Sequence, residues 1–368
     1  MTSLRVPVLG FLGLCLGLLL GLYGAPLGAV PLWSVENTDA DSRVLLLGSV
    51  HLLRAEDQPL PAAIQTAYRQ AEHLVMELDP AELAPEPSRA ALQRIGVTSP
   101  GGAAVEVLSA EQWRRAEALA DAAGADLQAV AGFEPWFAAI VLYTGRLVAA
   151  GYAAELGVDQ QLAAWAARDA KPVTGLETLE EQLLLFKGLD TAVQREMLLK
   201  AIEELPALEA DTAALVRQWR AGDVAALAQR LATDFRGYEE LRDSIVIDRN
   251  RAWLPSIEAR LATPGTSLVV VGALHLVGPE GLPALLEAQG YRVVRCSTAC
   301  PPSDASAQIS IISKSSLPAP QSGHRQLSGT SSHFVPGSSP PSGSPAASSY
   351  TYPQITHIHA FINSPPRR

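Results

Sequence analysis

Apolar residues in this chain fall into two patterns. Short dense runs at residues 32–35, 44–47, 73–78, 267–271 and 291–294 have strand length and predict buried strands. Elsewhere the apolar positions recur at helical spacing. Leu60, Ile64, Ala67 and Ala71 predict a helix over 59–71, with Pro61 suited to its first turn. Residues 281–289 predict another. Pro80, Pro85 and Pro87 mark a loop after the third strand. From 90 to 260 the pattern is mostly amphipathic helix, broken at 98–102, Gly124, 132–135, Gly151, Gly157 and 171–175. Residues 171–174 could form one further short strand.

Two of the runs end alike. Val44-Leu45-Leu46-Leu47 leads into Gly48-Ser49-Val50-His51, and Leu268-Val269-Val270-Val271 leads into Gly272-Ala273-Leu274-His275. Glycine permits a sharp turn off the strand, and the histidine is then presented at the carboxyl end, where sites of open α/β sheets gather. Only three histidines precede residue 301, and two of them hold equivalent places in this repeat. Brought together, the two strand ends put two imidazoles in one cleft. Imidazole is the commonest metal ligand and also suits acid–base work near neutrality.

Glu77 interrupts an apolar strand, and a buried carboxylate needs a partner or a cation. It reads as a metal ligand or general base beside His51, against the plainer reading of a salt bridge or a solvent-facing strand end. Alternation puts His73 on the same face, but at the strand's entry, so it reads as structural. Thr178 and Glu181 form a capping box at a helix start, which leaves Glu177 just outside the helix and free to face the cleft. Arg249-Asn250 reads as lying late in a helix, before Trp253. Arg249 there can neutralise a carboxylate or a developing negative charge, although most arginines are surface residues.

Charge and composition narrow the classes. The net charge is -10, and no Lys/Arg stripe is interleaved with aromatics, so nucleic acid is excluded as a partner. There is no G-x-S-x-G elbow, Walker loop, H-E-x-x-H or dinucleotide fingerprint. Residues 6–24 are uncharged and mostly apolar, follow Arg5, and end in small residues and proline. Residues 1–30 therefore read as a secretory signal peptide or an N-terminal membrane anchor, with the body of the protein periplasmic or secreted. Cys296 and Cys300 suit a small-loop disulfide there, and too few ligands stand nearby for zinc. After Cys300 the chain becomes Ser- and Pro-rich, and residues 301–368 read as a disordered tail whose His357 and His359 are incidental.

Taken in order, 46–51, 71–79, Gly157-Val158-Asp159, 171–182, Asp248-Arg249-Asn250, 271–278 and 290–293 resemble the TraB/GumN family. Its clan includes the Tiki metalloproteases and the pheromone-shutdown proteins, and the likeness here is to the bacterial GumN-like subgroup. The resemblance covers about residues 32–295, within a domain of 31–300. It implies an α/β (α+β) fold with a mixed central sheet and a large helical insertion. It also implies a site made of His51, His275 and Glu77, which in the Tiki branch supports metal-dependent peptide hydrolysis.

The expected function is a metal-dependent hydrolase acting outside the cytoplasm on a peptide or small molecule. His51, His275 and Glu77 hold a divalent ion (Mn, Co, Fe or Zn). Glu177 is a further ligand or acid–base group, Arg249 stabilises negative charge, and Asn250 and Gln182 orient the others. Two alternatives use the same pocket. One is a non-enzymatic protein that binds a peptide or serves a polysaccharide or signalling system. The other is a metal-free esterase of the erythromycin-esterase type, with His51 or His275 as base.

Overall fold

In the computed structural model, which describes residues 30–37, 39–97, 103–297 and 300, six strands form one mixed sheet. They are β1 (Leu32–Asn37), β2 (Ser42–Ser49), β3 (His73–Leu78), β4 (Val173–Glu177), β5 (Gly265–Gly272) and β6 (Arg292–Arg295). Their order across the sheet is β4-β3-β5-β2-β1-β6. The first four in that order, β4, β3, β5 and β2, run parallel, while β1 pairs antiparallel with both β2 and β6. The expected α/β fold with a mixed sheet and a large helical insertion is the fold observed. The described residues belong to one compact unit. The N-terminal segment 1–29, the break at 98–102 and the tail from 301 lie outside the described residues. No helix among the described residues is long and apolar enough to cross a membrane.

The helices are α1 (Ala62–Gln70), α2 (Pro85–Gly96), α3 (Ala104–Val107), α4 (Ala110–Ala122), α5 (Pro135–Ala149), α6 (Val158–Asp169) and α7 (Leu179–Lys187). They continue with α8 (Thr191–Glu204), α9 (Leu208–Arg220), α10 (Val224–Asp234), α11 (Glu239–Arg242), α12 (Asp248–Leu261) and α13 (Leu282–Ala288). Strand alternation sorts them into layers. Leu45, Leu47, Leu74, Met76, Leu268 and Val270 face the inserted helices. Val44, Leu46, Val75, Val269 and Val271 face Trp253, Ile257 and Leu261 of α12 and Leu282 and Leu286 of α13. Because both faces are covered, the central strands read as continuous apolar runs. Each such side chain, fully buried, contributes about 1.5–3 kcal/mol.

Three local expectations differ from the structure. Pro85 and Pro87 lie in the first turn of α2, not in a loop. First-turn N–H groups have no intrahelical acceptor, so the missing proline N–H costs nothing there. β4 spans Val173–Glu177 rather than 171–174, so Glu177 ends a strand as well as standing just outside α7, which Thr178 caps with Glu181 as expected. Arg249 and Asn250 sit in the first turn of α12, directly after a π-helical turn at Asp243–Ile247. One extra residue in a helical turn shifts the side chains that follow around the axis, and such turns are frequent at functional sites. Cys296 and Cys300 form the expected disulfide.

Candidate functional site

β2 and β5 are hydrogen-bonded neighbours, with Gly48 opposite Val271 and Ser49 opposite Gly272. Both Gly-x-x-His turns therefore leave the same edge of the sheet side by side. The glycines allow the close approach. A Cβ on Gly48 would stand 2.9 Å from Pro31 Cβ and 3.0 Å from Ala273 Cα, inside van der Waals contact. The buried Trp219 indole, from α9, donates to the Gly48 carbonyl at 2.8 Å and ties the turn to the helical insertion. β3 and β4 end at the same edge, so Glu77 and Glu177 join the histidines there.

Each imidazole is oriented through Nδ1. His51 Nδ1 donates to Asp159 Oδ2 at 2.8 Å, and Asp159 Oδ1 accepts from the Ser49 hydroxyl at 2.9 Å. Asn250 Nδ2 donates to the carbonyls of His275 (3.2 Å) and Glu280 (2.8 Å), which fixes the amide. Its Oδ1 then faces His275 Nδ1 at 2.7 Å, so Nδ1 carries the proton. In the neutral ring the Nε2 of each histidine keeps its lone pair. A Cβ placed on Gly272 would lie 3.4 Å from Glu77 Oε1, 3.5 Å from His275 Cδ2 and 3.7 Å from His51 Nε2. The two histidines and Glu77 thus surround one small hollow over Gly272.

Arg249 organises the carboxylates. Its Nη2 donates to Glu77 Oε2 at 2.6 Å and to Glu177 Oε1 at 2.5 Å, and its Nε to Glu177 Oε2 at 3.1 Å. The guanidinium lies over the Trp253 ring, 4.6 Å from its centre, and Nη1 stands 3.3 Å from His275 Nε2. Glu177 also accepts from Gln182 and from the Trp253 indole, and Glu77 from the Gly272 N–H at 2.7 Å. Two carboxylates against one guanidinium leave an excess of negative charge. With the guanidinium among them, no three His, Cys, Asp or Glu side chains of the described residues are arranged to hold a metal ion as they stand.

The electrostatics split the histidines. Burial pushes His275 down to about 3; Glu77 opposes this, and the charges of Arg249 and His51 add to it. His51 opens to the cleft with 48% of its side chain exposed, so desolvation disfavours its charge less than for His275, and Asp159, by charge and hydrogen bond, with Glu77, raises the value to about 9. Burial would raise Glu77, yet Arg249, the two histidines and the Gly272 N–H hold it down to about 2. His51 is protonated and His275 neutral at pH 7.

A folded-state value for His51 above its ordinary 6.5 stabilises the fold fully below about pH 6.5, and that contribution is lost as pH rises through about 9. In metal-free protein, the gap in melting temperature between the wild type and Asp159→Asn should therefore close between pH 7 and 10. A gap that stays constant with pH would contradict the pair.

Every residue expected in the site lies at this edge: His51, His275, Glu77, Glu177, Arg249, Asn250 and Gln182. His73 does not; it contacts Thr174 Oγ1 at the far end of β3. The residue not assigned beforehand is Asp159. Its signal was Gly157, where a Cβ would overlap the His51 carbonyl oxygen. That glycine lets α6 start against the histidine turn, with Val158 N donating to Val50 O at 3.1 Å. Gly157→Ala should cost about 1–3 kcal/mol by overpacking. It should also bring the His51 titration, followed by NMR, back toward 6.5; an unchanged titration would show that the docking does not set it.

The family model described as the TraB/PrgY/gumN family matches residues 31–295. The chain is also similar to the uncharacterized protein YbaP of Escherichia coli (strain K12) and of Shigella flexneri. Each is 28% identical over 256 residues, which is 66% of this chain and 86% of the relative. No solved structure matches it.

Proposed function

The chain belongs to the TraB/PrgY/gumN family, and from that premise we propose that it is a hydrolase of peptide-like substrates, using a divalent metal ion held by His51, His275 and Glu77. The observation that carries this reading is the hollow over Gly272, which a Cβ would fill and which the two histidines and Glu77 surround. The donor set fits such an ion in kind. Each imidazole has Nδ1 held by an acceptor, the arrangement that orients metal-binding histidines, and a carboxylate completes the set. Mn, Co, Fe and Zn all suit these donors. When bound, the ion supplies Lewis acidity at a substrate carbonyl and lowers the pKa of water.

The residues divide the remaining work. Asp159 and Asn250 hold the imidazoles in one tautomer. His51 must give up its proton to become a ligand, so ion uptake is coupled to proton release. Arg249 must withdraw from His275 Nε2. It then remains beside Glu77 and Glu177, where it can stabilise negative charge developing on a substrate oxygen. Glu177, held by Gln182 and Trp253, anchors the guanidinium. Work outside the cytoplasm is part of the proposal, supported by the Cys296–Cys300 disulfide and by the apolar residues 6–24, which would export or anchor the chain.

A second reading, the same hydrolysis without metal, is favoured by one feature. Arg249 already satisfies both carboxylates, so no cation is needed to neutralise them. A panel of peptide and ester substrates separates the two. Cleavage that is lost on chelation and restored by Mn, Co or Zn supports the first reading. Chelator-resistant ester cleavage supports the second. No turnover of any substrate would leave a binding protein.

A further inference from the structure

Two cavities open from the reacting groups, and both are walled by His51, Glu77, Arg249 and Phe186. The smaller, about 170 Å³, is completed by Leu92, Trp136, Phe137, Ile140 and Leu183, with Gln182. The larger, about 340 Å³, has Tyr143, Leu147, Leu215, Phe235 and Val246 among its walls. We infer that these are two side-chain subsites on either side of the reacting groups, divided by Phe186, and that they select an uncharged, internal stretch of chain with an apolar residue on each side. This rests on the hydrolase reading for its chemistry, but the subsites themselves are a statement about binding.

Size and charge carry the argument. An apolar cavity of about 150 Å³ takes one benzene-sized group, so the smaller lobe suits a single ring-sized or leucine-sized side chain. The larger has room for a bulkier one. Apart from the reacting groups, neither lobe is lined by a charged side chain, and burying an unpaired charge is costly. Acidic or basic side chains and free chain termini are therefore rejected. Trp136 lines the smaller lobe. Phe186 is held in place by stacking on Trp136, with ring centres 5.6 Å apart and planes 12° from parallel.

The test uses the full chain, metal-free so that nothing is cut, and capped dipeptides of the form acetyl-Xaa-Yaa-methylamide titrated by calorimetry. Xaa and Yaa are drawn from Phe, Leu, Ala, Asp and Lys. Peptides with Phe or Leu at both positions should bind at least tenfold more tightly than any carrying Asp or Lys. Ile140→Trp, which fills the smaller lobe, should weaken Phe tenfold at one position only and leave Ala there within twofold. Phe186→Ala, which joins the lobes, should lower the discrimination between Phe and a naphthyl side chain at that position at least fivefold. Equal affinity for charged and apolar peptides, no saturable binding by folded protein, or a uniform effect of the two variants would overturn the inference. Tight apolar binders left uncut by the metal-loaded protein would retire hydrolysis and uphold the subsites.

Discussion

Arg249→Ala should destabilise the protein by about 3–5 kcal/mol, the cost of removing one partner from a buried ion pair. The size follows from what would be left behind. Glu77 and Glu177 are both nearly enclosed, with side chains 10% exposed, and Arg249 donates to both through one nitrogen. Without it, two carboxylates face each other and the Trp253 ring with no cation between them. They would have to take up protons or admit water. Glu77 is held down to about 2 mainly by Arg249, so its contribution is present above about pH 4.5 and lost as pH falls toward 2. Urea unfolding at pH 7 measures the loss. Replacing both glutamates by glutamine in the Arg249→Ala background should recover most of it, because the unpaired charges are then gone. A loss below about 1 kcal/mol in Arg249→Ala, far under the range for breaking a buried pair, would show that the trio is solvated in solution.

Glu77→Gln should lower turnover at least about 10–100-fold, because a neutral amide is a weaker ligand for the ion than the carboxylate it replaces, and disturbing even a ligand's support costs that much. Stability should change much less than in Arg249→Ala. Glutamine keeps an oxygen for the Gly272 N–H and the volume of the side chain, and Arg249 keeps Glu177. The expected stability cost is about 1–2 kcal/mol, that of weakening hydrogen bonds to a charged group. Activity loss with a retained fold separates a working carboxylate from a structural one. Turnover within threefold of the wild type would make Glu77 structural and pass its role to Glu177.

Much of this site was visible along the chain because it follows strand grammar. A carboxylate inside His73–Leu78 and a matched Gly-x-x-His after two apolar runs are local signals, and parallel pairing of β2 with β5 turns them into one place. The capping box at Thr178 is equally local. What stayed hidden depends on partners remote in sequence. Asp159 sits at the start of α6, where an acid also serves the helix dipole, and Gly157 beside it marks a close approach without saying to what. Arg249 reaches Glu77 and Glu177 across 172 and 72 residues. Its position also depends on the π-helical turn before α12, which no periodicity announces. Pro85 and Pro87 looked like loop residues because a helix start and a turn accept proline for related reasons. The two cavities are made by α2, α5, α7, α9 and the turns between β-strands and helices, and amphipathic spacing tells only that those helices have apolar faces.

The central claim is that the two Gly-x-x-His turns make one metal site, and metal content tests it most directly. The full chain would be purified without a histidine tag or chelator, reloaded with Mn, Co or Zn, and assayed by elemental analysis beside His51→Ala and His275→Ala. The account predicts close to one ion per chain in the wild type, and loss of that ion in both variants while circular dichroism shows them folded. A folded wild type that takes up no ion, or either variant that keeps it, would contradict the shared site.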